Sequence, residues 1–296
     1  MSRSIFFSRY NSFMPDPALL APVDYLVIGH VARDLILEGS LLGGTAAYSA
    51  LTARAFGLRV GIVTAASSDV SLESLNGIPV HSTKSKASTT YENIYTENGR
   101  VQYLRAQASR IDLNDVPKAW RMASIIHLGP IANEVDSVLP QGFSPLLLGL
   151  TPQGWMRQWD SNGLVSTCNW SGSEAALPHA GAVVLSREDV NGDDELIEHM
   201  AQQTKILVVT EGAAGAVLYW NGDRRRFYAP SVDEVDATGA GDIFATAFFI
   251  RLLNTRDPWE ATRFATLIAS HSVARIGLNG IPTPLEIEQS MMVVIP

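Results

Sequence analysis

Short apolar runs recur along this chain at Tyr25 to Gly29, Val60 to Thr64, Ile125 to Leu128, Leu146 to Leu150, Val183 to Leu185, Ile206 to Thr210 and Ala216 to Trp220. Several are apolar throughout, and a strand without polar alternation must be covered on both faces. Segments with helical spacing fall between many of them. Gly44 to Phe56 carries Ala, Tyr and Leu at helical positions before Gly57 stops it, and Asn114 to Met122, Glu188 to Gln203 and Ala240 to Leu253 follow. Strand and helix in alternation predict an α/β fold with a mostly parallel sheet covered by helices on both faces. Asp257-Pro258-Trp259-Glu260 marks the start of a late helix, with a cap, a Pro at the first helical position and a Glu to complete a capping box. One region breaks the alternation. Ser88 to Leu104 places Tyr91, Ile94, Tyr95, Val101 and Tyr103 around Asn98-Gly99, a strong signal for a tight hairpin.

The 296 residues, 46% of them hydrophobic, can fill one large α/β core or two small ones. A net charge of −8, from 30 acidic against 22 basic residues, argues against a general nucleic-acid binder. The one compact basic run, Arg224-Arg225-Arg226, follows Asn221-Gly222-Asp223 and reads as a solvated hairpin end rather than a phosphate site. The single cysteine, Cys168, has no partner for a disulfide, and no Cys-rich cluster offers a structural metal site, which suits a reducing cytoplasm. Cys168 itself reads as a small half-buried residue. Residues 1–20 contain Arg3 and Arg9 but no continuous apolar stretch, and read as an irregular extension rather than a secretion signal, leaving 21–296 as the folded domain. The longest apolar run, Leu41 to Ala53, is too short and too rich in Gly and Ala to span a bilayer, so no membrane partner is expected.

The segment Val235-Asp236-Ala237-Thr238-Gly239-Ala240-Gly241-Asp242 runs straight into the apolar stretch Ile243 to Leu253. Gly239 and Gly241 allow a tight turn, and the unpaired N–H groups of the helix that follows would face an anion. Asp242 falls in the first turn, where a carboxylate can accept the proton of a hydroxyl that attacks a phosphoryl group. Taken alone, the segment could also be a Gly-rich loop with an Asp cap. The chain has no Walker-type phosphate loop, no Gly-rich dinucleotide fingerprint after its first strand and no G-x-S-x-G, so other nucleotide-binding and hydrolase readings lack their main support.

This segment resembles the signature of the PfkB or ribokinase-like carbohydrate kinases, D-T-x-G-A-G-D, with only the first Thr replaced, by Ala237. The resemblance implies a ribokinase-like fold in which a small β lid, from about residues 31–40 and 88–106, closes over the acceptor and often meets a second subunit. It makes Asp242 the catalytic base and the amides of Gly239, Ala240 and Gly241 an anion hole. ATP and Mg²⁺ are the implied cofactors, with Thr238 on the nucleotide side and a monovalent cation near Asp236. Asp34 and the pair Gly43-Gly44 match the family's substrate Asp and Gly-Gly motif, but Tyr48 stands where the common G-G-x-x-x-N pattern has its sugar-contacting Asn. Thr210-Glu211-Gly212-Ala213-Ala214-Gly215 resembles T-x-G-x-x-G along the nucleotide, so Thr210, Gly212 and Gly215 are cofactor-binding candidates. Ser186-Arg187-Glu188-Asp189 stands where N-x-x-E orients magnesium through water. Asp189, with Ser186, is the metal candidate there; Glu188 could be the relevant acid instead, or the segment a helix cap. His127, Gln153 and Trp155 follow or end strands, where ligands bind in such sheets, although a lone His there reads as structural. The expected activity is phosphorylation of a hydroxyl on a sugar or cyclitol, with the changed residue 48 pointing toward an inositol-like polyol. A nucleoside kinase stacking a base on Tyr91 or Tyr103, and a non-catalytic sugar-binding protein, are the alternatives.

Overall fold

The computed structural model describes residues 21–37, 39–96 and 99–291. The expected extension over 1–20 and the hairpin tip at Asn98 lie outside them. The chain begins β1 (Tyr25–Ile28), β2 (Ala32–Ile36), β3 (Gly39–Gly43), α1 (Thr45–Ala55), β4 (Val60–Ala66), β5 (Val80–Lys84), β6 (Thr89–Thr96) and β7 (Gly99–Ala106). It continues with β8 (Ile125–Leu128), β9 (Leu147–Leu150), β10 (Arg157–Trp159), β11 (Val165–Thr167), α2 (Ser173–Ala176), β12 (Ala182–Ser186) and α3 (Asp194–Gln203). The last elements are β13 (Ile206–Thr210), β14 (Ala216–Trp220), β15 (Asp223–Phe227), α4 (Ala240–Thr255), α5 (Pro258–Ser272) and α6 (Pro284–Met291).

Nine strands form one sheet in the order β15-β14-β13-β12-β9-β8-β1-β4-β5. Pairing is parallel from β13 to β5, and β14 and β15 add an antiparallel edge. Alternate residues of each strand feed two cores. Tyr25 and Val27 of β1 pack under α1, α4 and α5, while Leu26 and Ile28 pack with Trp120, Leu177 and Ile197 on the other face. The two-sided covering expected from unbroken apolar runs is therefore what the sheet has. Helix α4 is buried almost all round, from Ile243 to Ile250. It lies against β9 because Gly149 has no side chain: a Cβ there would come within 2.6 Å of the Phe249 ring.

A second sheet, β3-β2-β6-β7, stands off the first at the expected lid position. A short antiparallel ribbon, β10 with β11, adjoins it through the Leu104 N–H, which donates to the Gly163 carbonyl at 2.8 Å.

Three local expectations differ from the structure. Asn114 to Met122 is not one helix but two single 3₁₀ turns, Leu113–Asp115 and Lys118–Trp120, separated at Pro117, which has no N–H to continue the first. Glu188 to Gln203 is split where Asn191 and Gly192 take positive φ (54° and 72°), and α3 restarts on the Asp193 cap. Glu260 does not close a capping box. Asp257 accepts the Trp259 and Glu260 N–H groups, while the Glu260 carboxylate pairs with Arg251 and Arg263. The arginine run follows the expected hairpin turn at Asn221-Gly222, with Arg224 and Arg225 exposed on β15 and Arg226 held by Glu211.

Candidate active site

Loops and helix starts meet beyond the C-terminal ends of the parallel strands and leave a cleft of about 1210 Å³ between sheet and lid. Its floor is the start of α4. Gly239 caps that helix with φ 79°, and a Cβ there would lie 2.2 Å from the Tyr48 ring, so the turn requires glycine. Tyr48 is only 2% exposed: its ring is a platform under the turn, with an edge on the cleft. The Ala240 N–H is taken by the Ala237 carbonyl at 3.2 Å, whereas the Gly239 and Gly241 N–H groups have no acceptor among the described residues. The Asp242 N–H likewise has no backbone acceptor, so the open donors of this turn are Gly239, Gly241 and Asp242 among the described residues, with Ala240 engaged. Asp236 anchors the approach to this turn, accepting the Thr238 N–H at 2.9 Å and the Gly277 N–H at 2.8 Å. Burial raises its pKa, but these bonds outweigh that and leave it below the usual carboxylate range.

Asp242 sits in the same first turn and borders the cleft. Burial pushes its pKa up to about 6; the Thr45 hydroxyl and the Arg157 charge oppose the shift, and the Asp189 and Asp34 charges add to it. A carboxylate poised near neutrality can take up a proton and lose it again.

The wall of the cleft nearest the lid is built by β2, β3 and the start of α1. Asp34 lies on β2, and Gly43 makes room for it: a Cβ at 43 would come within 2.0 Å of its carboxylate. Gly44 turns the chain into α1 with φ 84°, and a Cβ there would press on the His30 carbonyl at 2.7 Å. On the lid, the Gln102 amide donates to Asn93 Oδ1 at 2.9 Å, and both residues line the cleft. Tyr91 is 3% exposed with its hydroxyl on the Ile131 carbonyl, which leaves it no face for stacking a base. The loop behind it is held by Glu134, fully buried, which accepts the N–H groups of His30, Ile131 and Ala132. His30 in turn bonds the Ser109 carbonyl through Nε2 and accepts from the Thr89 hydroxyl at Nδ1, so one cluster ties β1, β8 and the lid root.

Opposite the lid, Thr210 to Gly215 is a tight turn after β13. Gly212 and Gly215 have φ 56° and 93°, and a Cβ at 215 would overlap the Phe227 carbonyl at 1.9 Å. Thr210, Gly212 and Gly215 all face the cleft. Ser186 and Asp189 form a reciprocal cap: Ser186 Oγ accepts the Glu188 N–H, and Asp189 accepts the Ser186 N–H at 2.9 Å and the Gln153 amide at 3.2 Å. Burial raises the Asp189 pKa; Arg157 and these bonds oppose it. Glu188 is exposed at the rim. Among the described residues no group of three or more His, Cys, Asp or Glu could hold a metal directly. His127 is structural. It lies 2.9 Å from both the Tyr25 and Thr151 hydroxyls, and burial pushes its pKa down to about 3, which keeps it neutral.

Residues 174–284 match the model of the pfkB family of carbohydrate kinases. Over 200 residues this chain is 27% identical to a fructokinase of Escherichia coli, a match covering 61% of this chain and 64%, less than two thirds, of the fructokinase. Over 268 residues it is 26% identical to a cytidine kinase of Thermococcus kodakarensis, covering 81% and 92% of the two chains. A pyrophosphate-dependent kinase of the ribokinase family, solved with a pyrophosphate analog and myo-inositol, superposes with a TM-score of 0.70 at 21% identity, over 89% of this chain and 99% of its own. That likeness is one of fold: the chain has the ribokinase-like architecture its signature implied.

Of the sequence-derived residues, Asp34, Gly44, Tyr48, Gln153, Ser186, Glu188, Asp189, Thr210, Gly212, Gly215, Asp236 and the turn Thr238 to Asp242 line the cleft, whereas Gly43, Tyr103, His127 and Trp155 do not. Sequence reasoning missed Thr45, Asn93, Gln102 and Arg157. Asn93 and Gln102 follow from the hairpin register, in which they are cross-strand partners flanking Asn98-Gly99. Arg157 had no signal, because β10 is three residues long.

Proposed function

We propose that this protein transfers the γ-phosphoryl group of ATP to a hydroxyl of a small sugar or cyclitol. The observation that carries this is Asp242, a carboxylate with a pKa of about 6 beside the two unbonded glycine amides at the start of a buried helix. The acceptor oxygen forms a bond to the γ-phosphorus, the bond from that phosphorus to the bridging oxygen breaks, and ADP leaves. The hydroxyl proton passes to Asp242. Negative charge on the phosphoryl oxygens is met by the Gly239 and Gly241 N–H groups and the positive end of α4. Asp189 and Glu188 suit Mg²⁺ held through water and the donor phosphates, since Asp189 already accepts two hydrogen bonds. When bound, the ion offsets phosphate charge.

Asp34, the Asn93–Gln102 pair and Gln153 suit an acceptor rich in hydroxyls. The tied Tyr91 speaks against a stacked nucleobase, and the neighbour with bound myo-inositol supports the cyclitol reading. Exposed Ile36, Leu37, Leu41 and Ile94 on the lid support pairing with a second copy of the chain. Among the described residues no helix is long and apolar enough to cross a membrane, and the single half-buried Cys168 suits a reducing cytoplasm.

The test is ADP formation from ATP and Mg²⁺ across a panel of sugars, cyclitols and nucleosides, with Asp242→Asn in parallel. An acceptor-dependent signal that falls by roughly two to four orders of magnitude in the variant is expected. Wild-type turnover in Asp242→Asn would remove the carboxylate from the mechanism.

A further inference from the structure

Arg157 is the only lysine or arginine among the described residues that line the cleft, facing Asp34, Glu188, Asp189, Glu234, Asp236 and Asp242. It opens β10, half-buried, with its Cζ 5.8 Å over the Tyr91 ring. No carboxylate lies within 4.0 Å of it in the described residues, although its charge reaches both Asp242 and Asp189. Its hydrogen-bonding neighbour is the neutral Tyr91 hydroxyl, so a partly desolvated cation stands among carboxylates without forming an ion pair with one, which is costly. The arrangement is intelligible if its partner is an anion that arrives with the substrates. Tyr91 holds the guanidinium through its ring and its hydroxyl and is itself fixed through Ile131 to the Glu134 cluster, so the group is held in the cleft from the lid root. A planar fork of N–H donors fits two non-bridging phosphoryl oxygens better than a single ammonium does.

We propose that Arg157 grips the phosphoryl group while it passes from donor to acceptor, an inference that rests on the phosphotransferase reading above. The guanidinium stays protonated throughout and donates two hydrogen bonds to non-bridging oxygens. The bond between phosphorus and the acceptor oxygen forms, the bond to the leaving oxygen breaks, and the acceptor proton goes to Asp242.

The experiment compares the full-length protein with Arg157→Met and Arg157→Lys. At saturating ATP, Mg²⁺ and the best acceptor, Arg157→Met should lose about 10²- to 10³-fold in kcat, with the acceptor KM within about threefold, as expected for a donor acting on transition-state charge. Arg157→Lys should recover part of the loss. An acceptor KM raised about tenfold or more with kcat unchanged would overturn the proposal, because Arg157 would then be reading the acceptor. A second readout separates this idea from the activity itself. The rise in melting temperature given by magnesium pyrophosphate should be smaller in Arg157→Met than in wild type, whichever acceptor is used. An equal rise in both would overturn the role of Arg157, whereas a wild type inactive across the whole panel would overturn the phosphotransferase reading.

Discussion

At the scale of single residues, the base carries a cost. Burial raises the Asp242 pKa from 3.8 to about 6, so the folded protein holds its proton over a range where the unfolded chain has released it. The stability this represents is full below the ordinary carboxylate pKa and is lost as pH rises through 6. Removing the charge should therefore stabilise the fold only on the alkaline side. Asp242→Asn is expected to gain about 1–3 kcal/mol at pH 8 and to match wild type near pH 4, read from urea unfolding at both values; a gain independent of pH would show another cause. The same titration requires activity to rise with pH through about 6. Gly239 was legible in the sequence because a positive-φ turn leaves few residue choices, and the place of Asp242 followed because it opens the apolar helix behind that turn. Asp189 was less so, since an acidic residue after a strand serves a cap and a metal equally well, and here the cap is what its oxygens make. Tyr48 was misleading for a physical reason: its position faces the cleft, but the ring is large enough to reach beneath Gly239.

At the scale of elements, the site depends on joints that carry no chemistry. Glu134 gathers three backbone N–H groups from the ends of β1 and β8. Truncation would leave those donors buried without partners, at about 1–3 kcal/mol each. Glu134→Ala is thus expected to lose at least about 3 kcal/mol of unfolding free energy in urea, and Glu134→Gln, which keeps one acceptor oxygen, to lose less. A loss below about 1 kcal/mol for the Ala variant would mean the loop finds other acceptors. Helices α1, α4 and α5 could be read because a glycine turn opens each of the first two and the Asp257 cap opens the third. The stretch 114–122 could not, because its apolar residues serve one deep anchor, Trp120, whose indole N–H donates to the Ala21 carbonyl. The ribbon β10–β11 left no trace in the sequence, since three residues are too few to show alternation.

At the scale of the molecule, two sheets share one cleft but differ in how they are held. The large sheet is locked between two cores, whereas the lid rests on a small cluster of Ala32, Tyr91, Leu104, Ile131 and Ala132. Acceptor binding is expected to slow amide hydrogen exchange across β2, β6 and β7 while leaving β14 and β15 unchanged; uniform protection of both regions would argue against a separately moving lid. The parallel sheet and the lid hairpin were both legible, one from unbroken apolar runs and the other from alternation around Asn98-Gly99. What pattern alone could not give is how they are joined, because that lies in single contacts such as Tyr91 on Ile131. Helix α4 has the opposite character to the lid. Its first turn forms the floor of the cleft and the next two turns are enclosed by the core, so the catalytic end cannot fray while the rest of the protein stays intact. Heat inactivation and loss of structure therefore share one transition, and each molecule in a warmed sample is either competent or denatured.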